Sequence, residues 1–263
     1  MAAEHQELLA TVEQSPHRAA AHDRAGWVGL FTTDGRIEDP VGSRPHVGHR
    51  QIGRFYDTFI APRNIVFRRD LDVVHDHVVI RDLELGVGMG SVRMAIPAYL
   101  RYDLRAVDGD WRIAQLRAYW ELPAVTLQFL RNGAPALPAG LQLSYRLLRN
   151  QRLLGTAGFG AGFRRPGSRP RKTFVKFLRA VARGNRAAAA RTLPSDTTIA
   201  IGDDETVEIA AVSDRLQGAG WTKVIAAGST IVASLSAAHG RGVMFADLSR
   251  CGGHIRRIRY FPA

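Results

Sequence analysis

Cysteine is almost missing from this chain of 263 residues, which holds only Cys251. A lone cysteine excludes an intrachain disulfide and the cysteine-rich zinc sites, and it suits a reducing compartment. No apolar run approaches the ~20 residues needed to span a bilayer. The first residues, MAAEHQELLATVEQ, carry early acids where a signal peptide would have an apolar core, so none is predicted. The expected location is the cytoplasm. Low-complexity tracts are lacking too, and a content of 46% hydrophobic and 23% charged residues is that of a globular protein long enough for two cores. The most local absence is of acids. None occurs between Glu121 and Asp196, a stretch with 14 arginines and lysines. Outside it stand 22 basic and 24 acidic residues, so the net charge of +12 belongs to one segment. It is not a chain-wide signature of nucleic-acid binding.

What is present reads as helices followed by strands. Glu4 to Phe31 is helical, with Leu8, Leu9, Val12, Trp27, Leu30 and Phe31 on the apolar face and an interruption at Ser15-Pro16. A short extended piece at Arg36 to Glu38 and a second amphipathic helix at His49 to Phe59 come next. Strands are predicted over Asn64 to Val74, His77 to Val87, Val92 to Val107 and Trp111 to Leu122, with Asp108-Gly109 as a hairpin turn. This order is an α+β plan, helices on one face of a curved antiparallel sheet, and it covers residues 1–122. Residues 123–172 read as a basic linker rich in Pro, Gly and Arg, enclosing a short amphipathic helix near Leu141 to Leu154. In residues 173–263 the plan recurs: a helix over Thr173 to Leu193, a strand at Thr197 to Ile201, a helix over Glu205 to Leu216, then strands near Lys223, Ser229, Gly242 and His254. The closing strands WRIAQLRAYW and HIRRIRYF echo each other, which predicts a second, degenerate copy.

The stretch DGRIEDPVGSRPH, Asp34 to His46, sets two acids, a proline and a glycine among apolar neighbours. Locally that is a turn. The unbroken run Glu38-Asp39-Pro40-Val41-Gly42-Ser43, with Phe31 before it and Phe55-Tyr56 after it, resembles the ketosteroid isomerases of the NTF2-like, SnoaL-like cone fold. The similarity covers roughly residues 8–122. It implies that the turn aims the Asp39 carboxylate into an apolar pocket as general base. Such a base takes a proton beside a ketone and returns it to another carbon through a dienolate, with no cofactor. The implied substrate is a small hydrophobic molecule, steroid- or polyketide-like. The SnoaL-like branch implies polyketide cyclisation by an acid/base aspartate instead, and a non-catalytic carrier of a hydrophobic ligand is the third reading.

The family's oxyanion donors are altered. Its first-helix tyrosine corresponds to Ser15, and its supporting tyrosine to Tyr56. On the third strand Asp103 shares a face with Arg101 and Arg105 and reads as ionised and paired. Tyr102, on the apolar face, could donate in its place. Trp27, Phe55, Tyr119 and Trp120 are the aromatic candidates for lining the pocket, with core packing as the competing role. In the second copy Ile201-Gly202 stands near the Asp-Pro position and Asp203-Asp204 are expected to cap the next helix, so no site is expected there. Ketosteroid isomerases are commonly dimers, which implies an intrachain pseudo-dimer or a homodimer. His46 with His49 and His75 with His77 lack a third ligand, so no metal is expected. Gly86 to Gly90 reads as a strand bend or turn. The basic linker suits a solvated connector or a peripheral membrane contact, and nucleic acid is the weakest partner because no aromatic stacking platform accompanies it.

Overall fold

The computed structural model describes residues 2–133, 141, 166–249 and 253–263. The helix expected near Leu141 to Leu154 (Leu141 apart) and Cys251 lie outside the described residues. The chain divides into two compact units, residues 1–163 and 164–263. Among the described residues no helix is long and apolar enough to cross a membrane.

In the first unit, helix α1 (Ala2–Ala20) buries Leu8 and Val12 completely, one turn apart on a single face. The interruption expected at Ser15-Pro16 does not occur, because α1 runs through Pro16. An internal proline gives up one backbone hydrogen bond and costs ~3 kcal/mol, but here the face continues past it through buried Ser15 and Ala19. The break comes at Asp23, which caps α2 (Arg24–Gly29): its carboxylate accepts from Gly26 N at 2.8 Å and from Arg18 Nη1 at 2.6 Å.

Strand β1 (Phe31–Glu38) pairs with the two-residue β2 (His46–Val47), and α3 (Gly48–Phe55) runs on into a π-helical turn at Tyr56–Ile60. A meander follows: β3 (Asn64–His75), β4 (Val78–Met89), β5 (Val92–Val107) and β6 (Asp110–Tyr119). Its tight turns sit at Asp76-His77, at Gly90 (φ 59°) and at Asp108-Gly109 (φ 53° and 87°), where positive φ matches the twist of the paired strands. The Gly86 to Gly90 run is therefore the end of β4 and the start of a turn. The sheet order is β2-β1-β6-β5-β4-β3, antiparallel except that β1 runs parallel to β6. Alternating residues Val79, Leu83, Ala98, Leu100, Tyr102, Ile113 and Leu116 meet Leu8, Val12, Trp27, Ile52 and Phe55 in one core. The expected linker begins later than Pro123, since Leu122–Leu130 form a further helix, α4, with Pro123 in its first turn.

The second unit opens with α5 (Ser168–Ala182) and α6 (Arg186–Thr192) in place of one helix over Thr173 to Leu193. Asn185 makes the break by accepting from Ala188 N at 2.9 Å. Then come β7 (Thr198–Ile201), β8 (Glu205–Thr206), α7 (Ile209–Arg215), β9 (Gly220–Ala227), β10 (Thr230–Ala237), β11 (Gly240–Leu248) and β12 (Ile255–Pro262). The order β8-β7-β12-β11-β10-β9, with β7 parallel to β12, repeats that of the first sheet. Both units are α+β folds of one topology.

The repeat extends to single residues. Ile37 opposite Leu116 has its counterpart in Ile199 opposite Ile258, and Glu38 opposite Arg117 in Ala200 opposite Arg259. One step further, Asp39 corresponds to Ile201. The expected capping role of Asp203-Asp204 is not what forms. Asp203 instead accepts from Arg259 Nη1 at 2.7 Å, while α7 starts at Ile209 with no side-chain cap. Arg259, 6% exposed, also takes both oxygens of Asp247, at 2.8 and 3.0 Å. A buried guanidinium requires such pairing, and this demand outweighs a cap in solvent.

Candidate active site

The run Glu38 to Ser43 leaves the end of β1 as a tight, pinned loop. Val41 N donates to Ala118 O at 2.8 Å and ties it to β6. Gly42 N donates to the Glu38 carboxylate at 2.8 Å, and Ser43 N to Pro40 O at 3.0 Å. The Asp39-Pro40 peptide is cis, and Gly42 has φ 97°, a conformation that glycine adopts without strain. Asp39 is thereby held on the wall of a cavity of about 270 Å³.

The cavity is apolar apart from a few groups. Ile65, Leu85, Val87, Met89, Met94 and Ile96 from β3, β4 and β5 form one wall. Phe55, Phe59 and Ile60 bound it from α3 and the π turn, while Leu122, Val125, Thr126 and Phe129 close it from α4. Val87, Met89, Met94 and Ile96 pack with Trp120, Val125 and Phe129 as a cluster beside the main core, to which Phe55, Phe59 and Ile60 belong. α4 is fixed to β5 by Gln128 Nε2 donating to Ala95 O at 3.2 Å, and Thr126 donates its hydroxyl proton inward to Leu122 O.

Two charged side chains reach the lining. Asp39 Oδ1 accepts from the indole N–H of Trp120 at 2.6 Å. Burial among apolar walls pushes the Asp39 carboxyl up to about 6, a rise that the Trp120 hydrogen bond and the more distant positive charge of Arg63 moderate. Arg63 follows the π turn and donates through Nη1 to the carbonyls of Thr58 (3.0 Å) and Phe59. Those carbonyls belong to a helix end, where acceptors outnumber helical donors. Its Nε lies 3.2 Å from Met89 Sδ, and its guanidinium carbon 5.5 Å from the centre of the Phe59 ring.

The residues expected at the site separate into two places. Asp39, Phe55 and Trp120 line the cavity together. Trp27 does not: it stands behind Phe55, stacked on it at 6.2 Å, and packs on Phe31 at 5.1 Å and Tyr56 at 5.4 Å. Tyr119, one residue before Trp120, alternates to the other face of β6 and is absent from the lining. Ser15, Tyr56 and Tyr102 are likewise buried away from it. The Ser15 hydroxyl accepts from Trp27 Nε1 at 3.2 Å and is hydrogen-bonded to Tyr102. Burial pushes Tyr102 up to about 12. Among the described residues the Tyr56 hydroxyl has no hydrogen-bond partner. These three hydroxyls are buried in the core and none of them lines the cavity.

Asp103 is paired: its carboxylate accepts from Arg101 of its own strand (2.6 and 3.0 Å) and from Arg117 of β6 (2.8 Å), while Arg105, on the same face, pairs with Asp34 instead. His49 Nε2 lies 2.9 Å from Phe31 O, and His77 packs on Trp111 at 4.9 Å. Among the described residues no three His, Cys, Asp or Glu side chains gather as a metal site. The sequence reading missed Arg63, the two methionines and the whole of α4. For α4 a signal existed, because LPAVTLQFL carries a proline in the first turn and no charge over nine residues.

Residues 7–87 match the family model of the Nuclear transport factor 2 (NTF2) domain. Among solved structures, RV0760c from Mycobacterium tuberculosis, in complex with estradiol-17beta-hemisuccinate, is similar at 24% identity over 44% of this chain and 95% of its own, with a TM-score of 0.41. A Delta 5-3-ketosteroid isomerase from Mycobacterium sp. is similar at 24% identity over 45% and 95%, TM-score 0.40. An LEH-like epoxide hydrolase from M. tuberculosis is similar at 18% identity over 52% and 98%, TM-score 0.43. No curated protein matches the chain.

Proposed function

We propose that the first unit, an NTF2-like domain, binds an apolar ligand of steroid size and that Asp39 moves a proton within it as general base, the chemistry of a 3-oxosteroid Δ-isomerase. The observation that carries this reading is a carboxylate, pushed up to about 6 by burial, on the wall of a chamber that is apolar apart from it, Arg63 and Thr126. An ordinary aspartate, near 4, is a weaker base toward a carbon-bound proton. At about 6 the group is a roughly hundredfold stronger base yet still mostly ionised at neutral pH. The Asp39 oxygen that does not hold Trp120 takes the proton beside the ketone, and the electron pair moves into the ring as a dienolate. The neutral carboxyl then returns the same proton to another carbon, so the reaction balances without a cofactor. Arg63 supplies positive charge at the wall for the developing oxyanion.

A second reading has its own support. With Ser15, Tyr56 and Tyr102 away from the lining, the oxyanion lacks the neutral donors that such chemistry uses. The same cavity would then serve as a carrier, with Asp39 anchoring a ligand hydroxyl. The test is to incubate the protein with 5-androstene-3,17-dione and follow the absorbance of the conjugated enone beside Asp39→Asn. A rise that the substitution abolishes supports the isomerase. A flat trace with quenching of Trp120 fluorescence by the steroid assigns the carrier. A flat trace without quenching overturns both.

A further inference from the structure

Helix α5 has two faces of opposite character. Phe174, Phe177, Leu178 and Val181 are buried in the core of the second unit. On the opposite side Arg169, Lys172, Lys176, Arg179 and, at the C-cap, Arg183 are all exposed. Their spacing of three or four residues places them on a single stripe, about 21 Å long at 1.5 Å per residue. A solvated helix face ordinarily mixes signs, with acids one turn from its cations. Here no acid occurs anywhere between Glu121 and Asp196.

We propose that this stripe docks the protein on an anionic lipid bilayer. Several cations along one helix face match the negative surface of such a membrane, where each Lys or Arg strengthens attachment about fivefold. A nucleic acid fits less well. The two phenylalanines of α5 are turned into the core, so no ring is left on the basic face for a base to stack on. The stripe also suits a protein whose ligand dissolves better in lipid than in water, and in that respect alone the proposal rests on the function read for the first unit.

The experiment is co-sedimentation of the full chain with vesicles, without added ligand, at about 0.1 M salt. Vesicles of three parts phosphatidylcholine to one part phosphatidylglycerol are compared with pure phosphatidylcholine. Binding is expected to the anionic vesicles only, and to fall about a hundredfold in Lys172→Ala/Lys176→Ala/Arg179→Ala. Arg36→Ala/Arg50→Ala/Arg93→Ala removes three exposed cations from the first unit and is expected to bind as the parent does. Equal losses in the two triple variants would reduce the effect to net charge and overturn the proposal. Equal binding to neutral vesicles would overturn it too, as would displacement by duplex DNA at lower phosphate concentration than the lipid. Because no steroid is present, this result stands or falls separately from the enone assay.

Discussion

Replacing Asp39 by asparagine is expected to stabilise the first unit at neutral pH while removing the proposed proton transfer. The carboxyl is about 6 in the folded protein and 3.8 ordinarily, so the native state holds this proton more tightly than the unfolded chain does. Stability from this group is therefore greatest below about 3.8 and is lost as the pH climbs to about 6, beyond which the full penalty applies. Two units of displacement correspond to about 3 kcal/mol at most. Asp39 keeps some accessible surface, and water reaching it trims that figure. Asparagine keeps an acceptor for the Trp120 N–H and carries no charge, so a gain of about 1–2 kcal/mol is expected at pH 7. Urea unfolding followed by tryptophan fluorescence measures it. Three of the four tryptophans lie in the first unit, and Trp221→Phe in both proteins silences the other. The diagnostic is the pH dependence: the advantage of the variant must fade by pH 4, where the native aspartate is already protonated. A difference that is the same at pH 4 and pH 7, or a variant less stable at pH 7, would refute the claim that burial of a charge sets the properties of Asp39.

Trp120→Phe removes the 2.6 Å donor from Asp39; the Asp39 pKa should rise by about one unit, read as a shift of the acid limb of the pH–rate or pH–binding profile to higher pH. Arg81 is 2% exposed and pairs with Asp72 at 2.9 and 3.0 Å and with Glu13 at 2.8 Å. Arg81→Met leaves the Asp72 carboxylate only the exposed Arg69, at 3.1 Å, as a partner and should cost about 2 kcal/mol in urea unfolding, whereas Arg68→Ala, which breaks an exposed pair with Glu84, should cost under about 0.5 kcal/mol. A Cβ at Gly242 would lie 2.5 Å from Phe261 O and 2.6 Å from Tyr260 Cε2; Gly242→Ala should destabilise the second unit by about 2 kcal/mol, seen in Trp221 fluorescence and not in the first-unit transition.

Periodicity carried most of the architecture. Strands β3 to β6 fall within a few residues of their predicted ends, because two-residue alternation and an Asp-Gly turn are local signals that tertiary contacts reinforce. Pro16 misled for the opposite reason: its local penalty is real, yet the buried face on both sides of it keeps α1 whole. At the site, Asp39 and Trp120 stand 81 positions apart and only the parallel pairing of β1 with β6 brings them together. Each residue was legible as a candidate, but the hydrogen bond between them was not. Ser15, Tyr56 and Tyr102 show the converse. Hydroxyls on an apolar face look alike in sequence whether they meet a cavity or the packed core. Arg63 left no trace at all, since its role depends on carbonyls exposed by a π turn.

The correspondence of Asp39 with Ile201 bears on how this molecule can change. The chain carries the instructions for one six-strand topology twice, with a carboxylate at this position in one copy and an isoleucine in the other. Where the carboxylate stands, the fold carries the cost of burying a charge. Wherever isoleucine stands, that burden is gone and the position answers to packing alone. The second copy is therefore a built-in control for the first: paired positions in the two sheets separate what the topology requires from what the pocket requires, inside a single polypeptide.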